Sequence, residues 1–122
     1  MTVSEFAQDI LFRVLPELEN KTTYGFINKN KEQTIGIYER QSTPVNCYGK
    51  SSYSIKRFTI LVHWSKSQIA CEAMANKLAE KLNRHKFTNG WIELDSPPID
   101  VGRDENEIFE RTLNITIYNK EE

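Results

Sequence analysis

The first eighteen positions carry apolar residues at helical spacing. Phe6, Ile10, Val14 and Leu18 stand four apart, with Val3 and Leu11 beside them, which makes one stripe on a 3.6-residue period. Thr2 and Glu5 form a T-x-x-E pair ahead of it, residue types whose side chains satisfy free N–H groups of a first helical turn. Pro16 lacks an N–H and clashes with the preceding turn, so the predicted helix stops or bends near Val14. Residues 19–32 turn polar; Tyr24 and Phe26 within them are expected to anchor a loop or to form a short strand.

The period then changes to two. Gln33 to Arg40 reads as a strand with Ile35 and Ile37 on one side, and residues 41–52, with Pro44 and Gly49, as a loop. Tyr53 to Trp64 is a longer strand. Phe58, Ile60, Val62 and Trp64 alternate onto one face while Tyr53 and Ile55 fall on the other parity, so a bulge near Lys56–Arg57 or a change of neighbour is expected. Ser65 and Gln68 make a second capping pair, followed by a helix from about Lys66 to Arg84 with Cys71, Met74, Ala75, Leu78 and Leu82 as its stripe. Arg84, His85 and Lys86 sit where positive charge suits a helix C-terminus. Asn89-Gly90 reads as a turn and Trp91–Leu94 as a short strand. The stiff, acidic run DSPPIDVGRDENE follows. A final strand then places Phe109, Leu113, Ile115 and Ile117 on one face, and Thr112, Asn114, Thr116 and Tyr118 on the other.

The order α-β-β-α-β-β predicts an α+β fold: an antiparallel or mixed sheet of about four strands with two helices packed on one face, in a single domain over residues 1–122. The two long strands each carry charges ahead of an apolar alternation and are expected to be neighbours. Combining both periods puts Phe58, Ile60, Val62, Met74, Leu78, Leu82, Leu113, Ile115 and Ile117 in one core.

Composition narrows the class. The chain has 122 residues, 39% hydrophobic and 27% charged, which suits a globular fold rather than disorder. Asp9 and Arg13 interrupt the first apolar stretch, which therefore reads as neither signal peptide nor membrane span. Two cysteines, Cys47 and Cys71, make no disulfide framework, and a reducing, intracellular setting is expected. With His63 and His85 they are the soft metal-ligand candidates, and no pair has zinc-like spacing. Cys71 lies on the apolar stripe of a helix and reads as a buried thiol; His63 reads as a surface or interface residue and His85 as a helix-end charge. No nucleophile elbow or glycine-rich phosphate loop occurs, and the carboxylates of the acidic run read as solvated. No catalytic residue, metal or cofactor is expected, and no enzymatic activity.

Charge is unevenly placed. Net charge is −1, yet between Arg40 and Cys71 there is no acid against Arg40, Lys50, Lys56, Arg57 and Lys66, and between Glu93 and Glu110 seven acids stand against Arg103 alone. Three arrangements are open. The segments compensate inside one subunit; they meet between subunits as complementary patches; or the basic segment touches nucleic acid. Lys56, Arg57, Asp100, Arg103, Asp104 and Glu105, in or beside the two segments, are the interaction candidates. Pro97 and Pro98 restrict the backbone of the acidic run, which is expected to reach out as a pre-stiffened docking arm.

The blocks GIYERQSTPVNCYGKSS, RFTILVHWSKS and DSPPIDVGRDENEIFERTLNITIY resemble a family of bacteriophage minor capsid proteins from the head–tail joining region, over about Ile35 to Tyr118. That family is similar in size and architecture to the tail terminators of long-tailed phages. The resemblance implies a structural protein of the virion, present in the host cytoplasm during assembly. It implies a homo-oligomeric ring, usually a hexamer, that caps the tail tube and docks to the head connector, with transient DNA contact in the lumen and no membrane partner. The other function class is a small nucleic-acid-binding module using the basic segment 40–71.

Overall fold

The computed structural model describes residues 2–40 and 52–121. The expected loop, with Cys47, Tyr48 and Lys50, lies outside the described residues but for Ser52. The N-terminal stripe forms a helical run in pieces. An α-helix over Val3–Phe6 (α1) passes into a π-helical segment, Ala7–Leu11, and then into Phe12–Val14 (α2). The N–H of Glu5 donates to the Thr2 hydroxyl at 3.1 Å and caps the start. Leu15 leaves helical geometry, and Pro16 opens a 3₁₀ helix, Pro16–Lys21. The stop falls where the proline dictates.

Among the described residues seven strands follow in one mixed sheet: β1 (Thr22–Tyr24), β2 (Thr34–Arg40), β3 (Ser52–His63), β4 (Lys86–Phe87), β5 (Gly90–Leu94), β6 (Ile99–Arg103) and β7 (Phe109–Glu121). The expectation of about four strands and two helices is therefore corrected. The sheet is larger, and α3 (Gln68–Leu82), of 15 residues, is the one long helix among the described residues. Strands β1, β4 and β6 have three, two and five residues. They are too short to show a period of their own and exist because long neighbours offer a ladder.

The order is β1-β2-β3-β7-β5-β4, with β6 also on β7. β3 and β7, expected as neighbours, pair antiparallel without interruption from Ser52↔Glu121 to His63↔Glu110. The bulge expected near Lys56–Arg57 is absent. Ile55 lies on the opposite face from Phe58, paired with Tyr118. The other edge of β7 is shared end to end by β5, along Ile115–Asn119, and β6, along Phe109–Thr112. The expected arm is thus largely a strand of the sheet. DSPP is the break between two collinear strands, where prolines without N–H groups end the ladder.

Every residue expected in the core is buried: Phe58, Ile60, Val62, Met74, Leu78, Leu82, Leu113, Ile115 and Ile117 form one cluster with Phe6, Ile10, Leu11 and Leu18. Phe6 stacks on Phe58 at 5.2 Å between ring centroids. The helical segments cover this one face of the sheet. Ser67, rather than Ser65, caps α3, accepting the N–H of Ala70. The turn before β5 is Thr88-Asn89. Gly90 already pairs with Asn119, and a Cβ there would lie 1.8 Å from the carbonyl oxygen of Tyr118, so only glycine fits.

Candidate functional site

The face of the sheet opposite the helices carries the polar chemistry. At one end, Thr34 of β2, His63 of β3 and Glu110 of β7 lie in one row. The loop from Gly25 to Gln33 crosses this face: Ile27 packs against Gly36, and the Asn106 side-chain amide donates to the Lys29 carbonyl at 2.9 Å. Beneath this cover His63 is fully buried. It corrects the expectation of a surface or interface histidine.

His63 has two polar partners. Nδ1 lies 3.2 Å from the Thr34 hydroxyl and Nε2 lies 2.8 Å from Oδ2 of Asp104, whose side chain is only 6% exposed. The other carboxylate oxygen accepts the N–H groups of Asn106 and Ile108 at 2.9 and 3.0 Å. Asp104 thus closes the β6–β7 hairpin and fastens it to β3. Burial pushes its carboxyl up, but the His63 bond and the two N–H donors outweigh that and hold it below the usual carboxylate range. Glu110 is raised, chiefly by burial, with Asp104 adding to the rise and His63 opposing it.

The Thr34–His63–Asp104 order matches a nucleophile–base–acid relay in composition. Thr34, the first residue of β2, is itself buried, so its hydroxyl meets no substrate. The geometry is that of a structural tie. Cys71 is equally enclosed, its thiol against the carbonyls of Val62 and Phe109, and burial pushes it up to about 11. Among the described residues no group of His, Cys, Asp and Glu is arranged to hold a metal ion, and no helix is long and apolar enough to cross a membrane.

The opposed charge segments meet partly within the chain. Arg40 reaches from the end of β2 across β3 and β7 to Asp95 at the DSPP break, donating to Oδ2 at 2.9 Å and to the Ile115 carbonyl at 2.9 Å. Thr116 donates to the other Asp95 oxygen at 2.7 Å. Asp95 and Asp104 are therefore engaged rather than solvated, against the expectation for that run. Of the interaction candidates, Lys56 lies 3.6 Å from Glu39, and Arg57 sits half-buried on the open face opposite Arg40. Asp100 accepts the N–H of Gly102 in a tight bulge, Arg103 lies over the Phe109 ring at 5.9 Å, and Glu105 is exposed at the hairpin tip. The sheet separates Lys56 and Arg57 from the other four: the first pair stands beside Ile117 and Thr116 of β7, the rest at or beyond its start.

The family model for the bacteriophage tail terminator protein matches residues 7–119, which takes in the long helix and the described strands, β7 as far as Asn119. The chain belongs to the bacteriophage tail terminator family. No curated protein matches it. Membership places this terminator-family chain among structural proteins of the phage tail and head–tail region, whose work is with other phage proteins. His63 and Asp104 carry no spacing motif linking them. Their pairing, across 41 positions, was hidden because β6 and its hairpin were not legible as a strand.

Proposed function

We propose that the protein terminates the tail at the head–tail junction. Copies form a closed ring, a hexamer, that caps the tail tube and presents a docking surface to the head connector, as a minor component of the virion. The observation that carries this reading is the family match over nearly the whole chain. A ring repeats one heterologous interface, so each subunit needs two unlike surfaces that complement each other. Lys56 and Arg57 on one side, and Asp100, Arg103, Asp104 and Glu105 on the other, are the proposed members, and the DNA passing through the lumen meets the ring transiently. Asp104 serves by holding the hairpin that presents its neighbours, since its own carboxylate is occupied by His63.

The test is capping. Tail tubes assembled from the same phage's tube protein are mixed with purified protein and separated by sedimentation, with electron microscopy of the pelleted tubes. Density at tube ends and a halt to further tube growth are expected. Tubes that keep growing with bare ends overturn the proposal. Binding to DNA alone, falling steeply with salt, would point to the nucleic-acid module instead.

A further inference from the structure

We propose that the two opposite edges of the sheet, β1 with the turn after it and β6, are the two halves of one head-to-tail contact between copies of this chain. The contact rests on the ring reading and gives it a surface. Among the described residues the exposed large hydrophobic side chains are Tyr24 at 40%, Phe26 at 58%, Ile69 at 79%, Ile99 at 48% and Val101 at 52%. All but Ile69 lie on these two edges. Tyr24 ends β1 and Phe26 follows the left-handed Gly25, while Ile99 and Val101 flank Asp100 on β6.

Both edges are terminal in the sheet. β1 pairs only with β2, and β6 only with β7, among the described residues. Edge strands are normally short, bulged or charged where they must stay alone. These are short, and β6 carries a bulge between Asp100 and Gly102, with Gly102 in the left-handed region at φ +97°. The apolar pairs they expose work against solubility unless something covers them.

A second copy is the occupant because the chain carries both halves. Between Glu19 and Glu32 the β1 side carries Lys21 and Lys31, whereas the β6 side carries Asp100, Glu105 and Glu107 against Arg103; Lys29, whose carbonyl the hairpin's Asn106 holds, and Asp104, held by His63, are engaged within the subunit. Opposite sign steers one edge toward the other and disfavours like edges meeting, which makes the contact heterologous rather than two-fold. Tyr24 and Phe26 of one copy pack on Ile99 and Val101 of the next.

The test uses the full chain. Wild type, a Tyr24→Ser/Phe26→Ser variant and an Ile99→Lys/Val101→Lys variant are sedimented over a range of concentrations, with circular dichroism as the folding control. Each variant is expected to lose at least about tenfold in self-association. An equimolar mixture of the two is expected to form a dimer, since each keeps the half that the other lacks. For a wild type that stays monomeric, a Phe26→Cys/Val101→Cys chain in a Cys47→Ser background is oxidised beside the two chains with one introduced cysteine each in that background, and a ladder of oligomers is expected from the double variant alone. A mixture that stays monomeric where wild type assembles, or a double-cysteine chain that gives no longer oligomers than the singles, overturns the contact. Tube capping is scored separately. Capping that survives with the contact disproved removes only this inference; a wild type that assembles by its edges yet leaves tubes bare removes only the terminator reading.

Discussion

His63 shows how one residue pair can fasten an element that has little core of its own. The β6–β7 hairpin buries Ile108 and little else, and Asp104 joins it to β3 through the imidazole and to itself through two N–H groups. Asp104→Asn keeps the shape and removes the charge. It should cost about 1.5–3 kcal/mol at neutral pH, as hydrogen bonds to charged groups do. The pH dependence has a definite sign. Asp104 is held below the ordinary carboxyl value of about 3.9, so its contribution is present above that value and is lost as pH falls through the lower, folded one. Glu110 is raised, so its share is present at low pH and lost as pH rises through its folded value, in a window above the ordinary carboxyl value where that of Asp104 lies below it. Urea titrations of wild type and Asp104→Asn at about pH 7 and about pH 2 are the check. The gap between them should shrink in acid; a gap that stays constant would mean that the carboxylate charge contributes nothing.

At the scale of elements, the long pieces and the short β5 were legible in the sequence, β1 was one of two alternatives, and β4 and β6 were not legible. The α3 stripe and the alternations of β3 and β7 gave the right core because burial on one face imposes a period on any element long enough to repeat it. β1, β4 and β6 show no clear alternation in so few residues, which is why the sheet has three strands more than the pattern predicts. The π-helical segment at Ala7–Leu11 equally left no mark, since Phe6, Ile10 and Leu11 are buried in either winding. Two substitutions test the observed elements. Leu78→Ala opens the centre of the cluster under α3 and should cost about 2–5 kcal/mol in denaturant unfolding; a loss under about 1 kcal/mol would mean that the site collapses or was never enclosed. Gly90→Ala drives a methyl into the Tyr118 carbonyl and should cost about 3 kcal/mol, at the upper end for overpacking, with amide exchange accelerated along Gly90–Leu94 before the rest of the sheet. Unchanged protection there would show that β5 does not approach β7 so closely.

For the whole molecule, the segregation of charge was legible in the sequence and the contacts it makes were not. Arg40–Asp95 and Lys56–Glu39 settle part of it inside the subunit. Those contacts could be found only once β2 and the DSPP break were set across the same sheet, because sequence gives net charge by segment and not which groups meet. Arg57, Asp100, Arg103 and Glu105 remain at least partly open to solvent, with Lys56 only loosely held. Exposed charges suit a subunit that must stay soluble before it assembles, since water solvates them until docking. If they guide the ring, reversing either side should weaken it and reversing both should restore it. Lys56→Glu/Arg57→Glu and Asp100→Lys/Glu105→Lys are therefore each expected to lower self-association or tube capping by about tenfold, and the combined variant to recover most of that loss. Asp104 is left out, because its reversal would break the His63 tie and confuse folding with docking. Wild-type association should also fall as salt rises, exposed pairs being screened beyond about 8 Å at physiological ionic strength. Sedimentation at low and high salt measures both effects, with tube capping in parallel and circular dichroism confirming the fold. Variants that assemble and cap as wild type does, at every salt concentration, would mean that these charges form a solvated surface and that the apolar edges carry the contact alone.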